Sequence, residues 1–583
     1  MTEKMYTAIS FAPVQGFIEK SRKLRDLIGA SQILSYLSAY IIAHTDGYSV
    51  ISPAPIKTSG DEPEKGLPNL IIIKGDQEFK NSQDILLEGW KNLLKACHDY
   101  IEKNLSPYNW QCHGWDEAWT NWGNHAWEIF VASDENRQKA LDQLEAQKLK
   151  RAWTAINWTG ESSSLSGQDA ICHPRMGLSP YLNETDYIEK FYENLANVTT
   201  EHRRGEVIDE DSINKFINTN ERLSLPELVK RLATRDEIIN ELNGLMPNLE
   251  QGFRDIIRAP QPPPEKPTPP YRQWTGWFMG DGDGIGDYLK ALGQDKQLTQ
   301  AEQDQSLHDF SHSMRDWGKS FAEEFKIGRV IYAGGDDFFG VIYDQEFNGH
   351  KESCITGTTI IDWLMGLKEQ WQTPPKVVND KPVNFSMGFV WAAPSVPQRD
   401  ILQHCREAEK LAKFKGKDRV TIRVVFNSGQ YVQWTCPWDH LWLLTQYCDR
   451  QGIQYTGTGQ NRELSQYQTI DGKPSKDLPN WGHIYSDLAQ LQSRRAIDLE
   501  QIEEANDEGI ETSIAIALFN LYFNSYGEYL SDHRNHITGS EDGENADLLQ
   551  WINDLIHIGW QLCDRHTPDL SQTNPPQGVV SNV

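Results

Sequence analysis

Tyr332-Ala333-Gly334-Gly335-Asp336-Asp337-Phe338-Phe339 separates two apolar runs, Arg329–Ala333 (RVIYA) and Phe338–Ile342 (FFGVI). Short apolar runs bounded by glycine read as strands, and two glycines tolerate the positive φ values of a tight hairpin. The turn sets Asp336 and Asp337 side by side at its tip, where two carboxylates repel one another unless cations neutralise them. Taken alone, this pattern also fits an ordinary hairpin whose acids face water.

A second segment favours the cation reading. Trp277-Phe278-Met279-Gly280-Asp281-Gly282-Asp283-Gly284-Ile285-Gly286 is an apolar strand ending in acids and glycines before a helix. It lacks the later Glu of an EF-hand loop and the Lys of a P-loop. Around both segments the order is strand 274–281, helices within 284–325, strands 328–333 and 337–343, helix 355–370, strand 383–391, helix 398–414 and strand 419–426. That is the order of a ferredoxin-like palm, in which the first strand lies beside the hairpin. Asp281, Asp336 and Asp337, with Asp283 and the Gly282 carbonyl, would then offer hard oxygen ligands to two Mg²⁺ or Mn²⁺ ions. Asn384-Phe385-Ser386-Met387-Gly388-Phe389 is a further strand whose Gly388 permits close backbone approach. Ala408–Asp418 (AEKLAKFKGKD) ends a helix in cations. Lys413 and Lys417 are placed to offset triphosphate charge, although basic residues also suit a helix C-terminus for its own sake.

The 583-residue length implies several domains, and 10% aromatic residues supply ample apolar area for their cores. The stiff stretch Ala259–Pro270 (APQPPPEKPTPP) reads as a linker. Upstream of it, strand 5–11, helices 14–26 and 29–44, strand 70–74 and a helix near 84–105 suggest a first palm over 1–110. Residues 111–258 read as an insert with the remainder of that palm. The second palm spans 271–430, a helical region 431–575 and a tail 576–583, so the fold class is α+β. No stretch has the roughly 18 to 20 apolar residues of a membrane span, and the N-terminus has no signal-peptide core. Eight cysteines without CxxC spacing suit reduced thiols, and a soluble cytoplasmic protein is expected.

The four segments in this order resemble the GGDEF-type cyclase palm: DxD, GGDD in place of GGDEF, SxG and A(D/E)xxxAKxxGK. GGDD is similar to the narrower form found in the large polymerase-like subunit of type III CRISPR RNA-targeting complexes. Phe11–Leu27 (FAPVQGFIEKSRKLRDL) and Ser31-Gln32-Ile33-Leu34-Ser35 resemble that subunit's opening palm in the Cmr, or type III-B, branch. Trp438–Leu444 and Ile484–Leu488 are similar to its helical C-terminal region. The resemblance implies two tandem palms with ATP as substrate and cyclic oligoadenylate as product once target RNA binds. It implies partners as well: other Cmr-type subunits, guide RNA and target RNA. It also implies catalysis by Asp281, Asp336 and Asp337, with nucleotide binding by Gly334, Gly335, Ser386, Lys413 and Lys417. Arg22, Lys23 and Arg25 stand either near phosphates or at a subunit contact.

Two features depart from the family pattern. The palm motif begins at residue 11, so the form without an HD nuclease domain is expected, and His98-Asp99 reads as a coincidence within a helix. Ser163-Ser164-Leu165-Ser166-Gly167 resembles the zinc finger's CxLCG with both cysteines replaced. Cys112-His113 and Cys172-His173 are adjacent pairs, poorly spaced for a shared ion, so zinc is not expected. The rival readings are a non-catalytic scaffold, a stand-alone cyclic dinucleotide synthase, and transfer of AMP to another small molecule.

The charge yields the first prediction. At −27, with 83 acidic against 56 basic residues, the isolated chain repels nucleic acid and would release few counterions on binding it. Filter binding at physiological salt should detect only weak RNA association; tight binding by the lone chain would contradict this reading.

Overall fold

The computed structural model describes residues 4–565 apart from short breaks and the stretches 56–62, 151–157, 177–184, 202–215, 250–255, 257–273, 344–354, 372–382, 448–480 and 498–509. The expected linker and tail lie outside the described residues. Two sheets organise the chain. The first contains β1 (Met5–Ala12), β2 (Ser49–Ser52), β3 (Leu70–Gly75) and β4 (Glu128–Asp134) in the order β2-β3-β1-β4. The second contains β5 (Thr275–Gly282), β6 (Gly328–Gly334), β7 (Asp337–Ile342), β8 (Phe385–Ala392), β9 (Arg419–Val425) and β10 (Tyr431–Pro437), in the order β10-β9-β8-β5-β7-β6. The four strands β8-β5-β7-β6, which run to one edge of the second sheet, repeat the order β4-β1-β3-β2 of the first sheet, so the expected pair of ferredoxin-like palms is present. Helices follow the second sheet, the longest of them Asn545–Gly559, Trp481–Ser493 and Ile510–Tyr522.

Two sequence readings change. The helices expected at 14–26 and 29–44 are instead a short turn of helix, Gln15–Glu19, and one long helix, Leu24–Ala43. Lys23 caps the long helix, its backbone N–H donating to the Asp26 carboxylate at 3.3 Å. Gly29, within the long helix, is a point of close packing: a Cβ there would stand 2.0 Å from the Lys230 carbonyl oxygen. Leu24–Ala43 is also long and apolar enough to cross a membrane, but 78% of its apolar window is buried within the chain. At the start of the region read as an insert lie the helix His113–His125 and strand β4, with Trp115 and Trp127 in the core. Finally, Tyr431–Pro437 is no part of the helical region: it pairs antiparallel with β9, from Tyr431 opposite Val425 to Pro437 opposite Arg419, and extends the second sheet beyond 430.

The core of the second sheet is aromatic. Trp317, Phe321, Phe338, Trp371 and Phe385 interlock, with the Trp317 and Trp371 centroids 4.5 Å apart and those of Trp371 and Phe385 4.8 Å apart. Glycine makes room for this packing beside the acids, since a Cβ on Gly280 would lie 2.1 Å from the Phe338 ring.

A buried charge hub joins the two sheets. Asp304, on the helix Gln300–Glu324, accepts from the Tyr6 hydroxyl at 2.7 Å, Lys74 at 2.8 Å and Arg137 at 3.2 Å. All three donors belong to the first sheet or the helix packed on it, and Asp304 and Arg137 are almost fully enclosed. Asp304→Ala would strand two cations and a phenol. Removing one partner of such a buried pair costs about 3–5 kcal/mol. Denaturant unfolding should show that loss, and a change below about 1 kcal/mol would mean the hub does not hold the sheets together.

Candidate active site

Asp281 is the last-but-one residue of β5, directly opposite Asp337 on β7. Like charges facing each other across an antiparallel pair are unfavourable, so this register needs a compensating cation. The hairpin brings the third acid. Gly334 pairs with Asp337, which leaves Gly335 and Asp336 as the two turn residues. Only Gly335 has positive φ, at 73°, as a II′ turn requires at its first position. The Asp336 carbonyl accepts from Gly282 N–H at 3.1 Å, tying the turn to the end of β5. Carboxylate oxygens of Asp281, Asp336 and Asp337 thus lie within 4.8 Å of one another.

The electrostatics follow from that crowding. Partial burial and the neighbouring charge of Asp281 push the Asp336 carboxyl up to about 6. Burial, a hydrogen bond with Asp281 and both acidic neighbours drive Asp337 well above the usual carboxylate range. Lys413 supplies the cation. Its ammonium pairs with Asp281 and, at 2.6 Å, with Glu409, and these partners outweigh burial to raise its pKa. The Lys413 helix, Gln398–Phe414, reaches this end of the sheet because Gly388 lets it settle closely: a Cβ there would be 2.3 Å from the Cys405 carbonyl oxygen. Three clustered carboxylates with hard oxygen donors fit a divalent cation, and mutual repulsion is what such an ion relieves.

The other expected residues are placed differently. Asp283 turns from the acid cluster toward Ser386, whose buried hydroxyl donates to it at 2.8 and 3.0 Å, and toward Asp418 N–H at 2.8 Å. Ser386 is therefore engaged in positioning Asp283 at the end of β5. Lys417 is exposed at φ 65° in the loop after the helix and forms no side-chain ion pair among the described residues. Gly334 is buried against Gly66 of the first half, where a Cβ would meet the Gly66 carbonyl oxygen at 2.1 Å. Its absent side chain therefore serves the contact between the two halves. Glu409 was not singled out from sequence, although its i,i+4 spacing to Lys413 signals the pair. Asp418 and its partner Lys368 were missed because nothing local links them.

Outside the palm, Ser163 and Ser166 stand 3.0 Å apart in a turn closed by Glu227, which accepts from the Ser163 hydroxyl at 3.1 Å. Hydroxyls and a carboxylate hold this turn where the similar finger has thiolates. Cys172 is buried, its thiol raised by burial, and burial lowers the His173 imidazole to about 4. Cys112 lies outside the described residues. His98 is committed to a structural contact, its Nε2 accepting from the Trp115 indole at 3.0 Å.

A pH prediction follows from Asp336, whose ordinary value is 3.8 and whose folded value is about 6. Below both values the group is protonated in either state and costs nothing. Between them the folded chain holds the extra proton, so stability falls as pH rises, and above about 6 the full penalty is present. In chelator, Asp336→Asn should therefore melt at a higher temperature than wild type at pH 7.5, and the advantage should vanish below about pH 4. An unchanged or lower melting temperature at pH 7.5 would contradict the crowding described above.

Comparison with known proteins agrees with this geometry. Residues 275–421 match the family described as Cas10/Cmr2, second palm domain, and residues 6–57 match CRISPR-associated protein Cmr2, N-terminal. No curated protein matches the sequence. Among solved structures, a type III-B Cmr-beta complex in its apo state is similar at 11% identity and TM-score 0.46, covering 90% of this chain and 77% of that one. A Csm1-Csm4 cassette in complex with one ATP is similar at 12% identity and TM-score 0.45, covering 96% and 70%. The same cassette in complex with cA4 gives 11% identity, TM-score 0.41 and coverage of 96% and 70%. The overall superpositions are loose, and the two sequence matches carry the assignment. They fall on the carboxylate-bearing sheet and on the opening strand and helix of the first sheet, and in those two regions the chain is similar to Cas10/Cmr2 large subunits.

Proposed function

We propose that this chain is the catalytic subunit of a type III-B CRISPR effector complex, in which binding of target RNA switches on conversion of ATP to cyclic oligoadenylate. The observation that carries the reading is the convergence of Asp281, Asp336 and Asp337 beside Lys413, on the segment that matches the second palm. An idle scaffold has no use for like charges held face to face at a cost in stability.

Asp281, Asp336 and Asp337 would hold two Mg²⁺ or Mn²⁺ ions. When bound, such ions lower the pKa of an attacking 3′-hydroxyl and neutralise the leaving pyrophosphate. The remaining roles belong to the chain itself. Lys413, shared between Asp281 and Glu409, offers its ammonium to the polyphosphate, and exposed Lys417 extends the same positive side. Ser386 and the Asp418 N–H keep Asp283 fixed, and through it the end of β5. In each transfer a 3′-oxygen bonds to the α-phosphorus of the next ATP, pyrophosphate departs and the hydroxyl proton is lost; a final internal transfer closes the ring. Guide and target RNA, held mainly by more basic subunits, would act as the ligand that favours the active arrangement of the two sheets.

The experiment uses the assembled complex with guide and matched target RNA. Asp336→Ala with Asp337→Ala should reduce ATP conversion to background while subunit assembly is unchanged, because both acids sit at a turn and not in the core. Lys413→Ala should weaken ATP capture roughly ten- to hundredfold, the worth of a charged hydrogen bond at about 1.5–3 kcal/mol. Mass spectrometry of the product distinguishes ring closure from AMP transfer. Wild-type turnover in the double variant would overturn the proposal.

A further inference from the structure

A second convergence of ligand-type side chains lies where the second sheet meets the C-terminal helices. Asp439 and His440 begin the helical turn Trp438–Thr445, directly after β10. His536 arrives from the short helix Arg534–Thr538, 97 residues after Asp439. His440 Nδ1 stands 2.7 Å from Asp439 Oδ1, and His536 Nε2 stands 3.2 and 3.3 Å from the two oxygens of the same carboxylate. Two imidazole nitrogens therefore address one carboxylate from separate elements, and one atom from each of the three residues lies within 4.8 Å of the others.

The surroundings hold this arrangement in place. His440 is 2% exposed and ring-stacked on Tyr529, and its Nε2 has no hydrogen-bond partner among the described residues, so Nδ1 is its one polar contact. Buried Arg419 donates to the backbone carbonyls of His536 at 3.0 Å and Ile537 at 3.3 Å, fixing the segment that presents the second imidazole. The hydrogen bond from His440 keeps the Asp439 carboxyl near 2, and hence ionised at neutral pH. Asp439 and His536 are exposed, which gives an ion a route in and leaves room for water.

We infer that Asp439, His440 and His536 form a binding site for a divalent transition-metal ion of the zinc class, distinct from the carboxylate cluster of the palm. Two imidazoles and one carboxylate are the donors such ions take, whereas Mg²⁺ prefers oxygen alone. Small rotations of the exposed Asp439 and His536 side chains would close the three atoms onto bonds of about 2.0–2.2 Å. The other mixed cluster, His98, Glu102 and Asp116, is less suited, because the Trp115 indole N–H already occupies His98 Nε2 and Glu102 Oε1 at 3.0 Å each. The ion would cross-link the end of the second sheet to the helices behind it. Sequence spacing gave no hint of it, since its ligands are an adjacent pair and one distant histidine.

The test uses the full chain carrying Asp336→Asn and Asp337→Asn, so that the palm acids do not compete, stripped with chelator and titrated with Co²⁺ or Zn²⁺. One equivalent of Co²⁺ should bring up a visible d–d absorption spectrum, and Zn²⁺ should displace it and raise the melting temperature, as any ligand of the folded state does. Mg²⁺ should do neither. Asp439→Asn and His536→Ala, both at exposed positions, should weaken Co²⁺ binding at least about tenfold with circular dichroism unchanged. His98→Gln should leave binding intact. No spectrum with one equivalent of Co²⁺, binding untouched by Asp439→Asn and His536→Ala, or binding lost with His98→Gln would each overturn the assignment.

Discussion

Three carboxylates held against their own repulsion are the constraint around which the second half of this chain is built. The β5–β7 register puts Asp281 opposite Asp337, and the II′-type hairpin adds Asp336. No choice of side-chain rotamer separates charges fixed by backbone pairing, so the neighbouring structure compensates. Lys413 offsets part of the charge, and Glu409 holds Lys413 in turn. Gly388 lets that helix lie close enough to do so, and Gly280 lets the Phe338 ring pack beneath the acids. Burial, and then the repulsion that one ammonium leaves uncancelled, raises the carboxyls of Asp336 and Asp337.

The same hairpin also ties the two sheets together. Gly66 and Gly334 meet backbone to backbone, with no room for a Cβ on either side. Leu24 and Leu27, at the start of the long N-terminal helix, share a buried cluster with Trp277, Ile331 and Phe339 on strands β5, β6 and β7. Together with the Asp304 hub, these contacts join the first sheet to the strands that carry the acids. Under the proposed function, a ligand held elsewhere in an assembly would bias the site by favouring one arrangement of the two packed sheets over another.

How much of this was legible depended on where each contact lies in the chain. Glycines and paired acids at strand ends are local signals, and they located Asp281, Asp336, Asp337 and the whole strand order of the palm apart from β10. That strand was hidden because its half-buried polar alternate positions, Gln433 and Thr435, break the apolar run. Lys413 was legible from its motif, but its pairing with Asp281 depends on a tertiary approach permitted by Gly388. Ser386 carried a family expectation of nucleotide contact, while its hydroxyl is spent on Asp283. Gly29 carried no local signal of its role, which is to let a helix pass under the Lys230 carbonyl. Contacts between distant segments, among them Lys368 with Asp418 and His536 with Asp439, left no mark in sequence spacing at all.

If relief of carboxylate repulsion by divalent cations is the basis of the site, the direct measurement is the number of Mn²⁺ ions bound, counted by electron paramagnetic resonance in the presence of a non-hydrolysable ATP analogue. Two ions per chain in the wild type, reduced to at most one weak ion in Asp336→Asn with Asp337→Asn, is the predicted result. A Mn²⁺ count and affinity indifferent to those substitutions would contradict it.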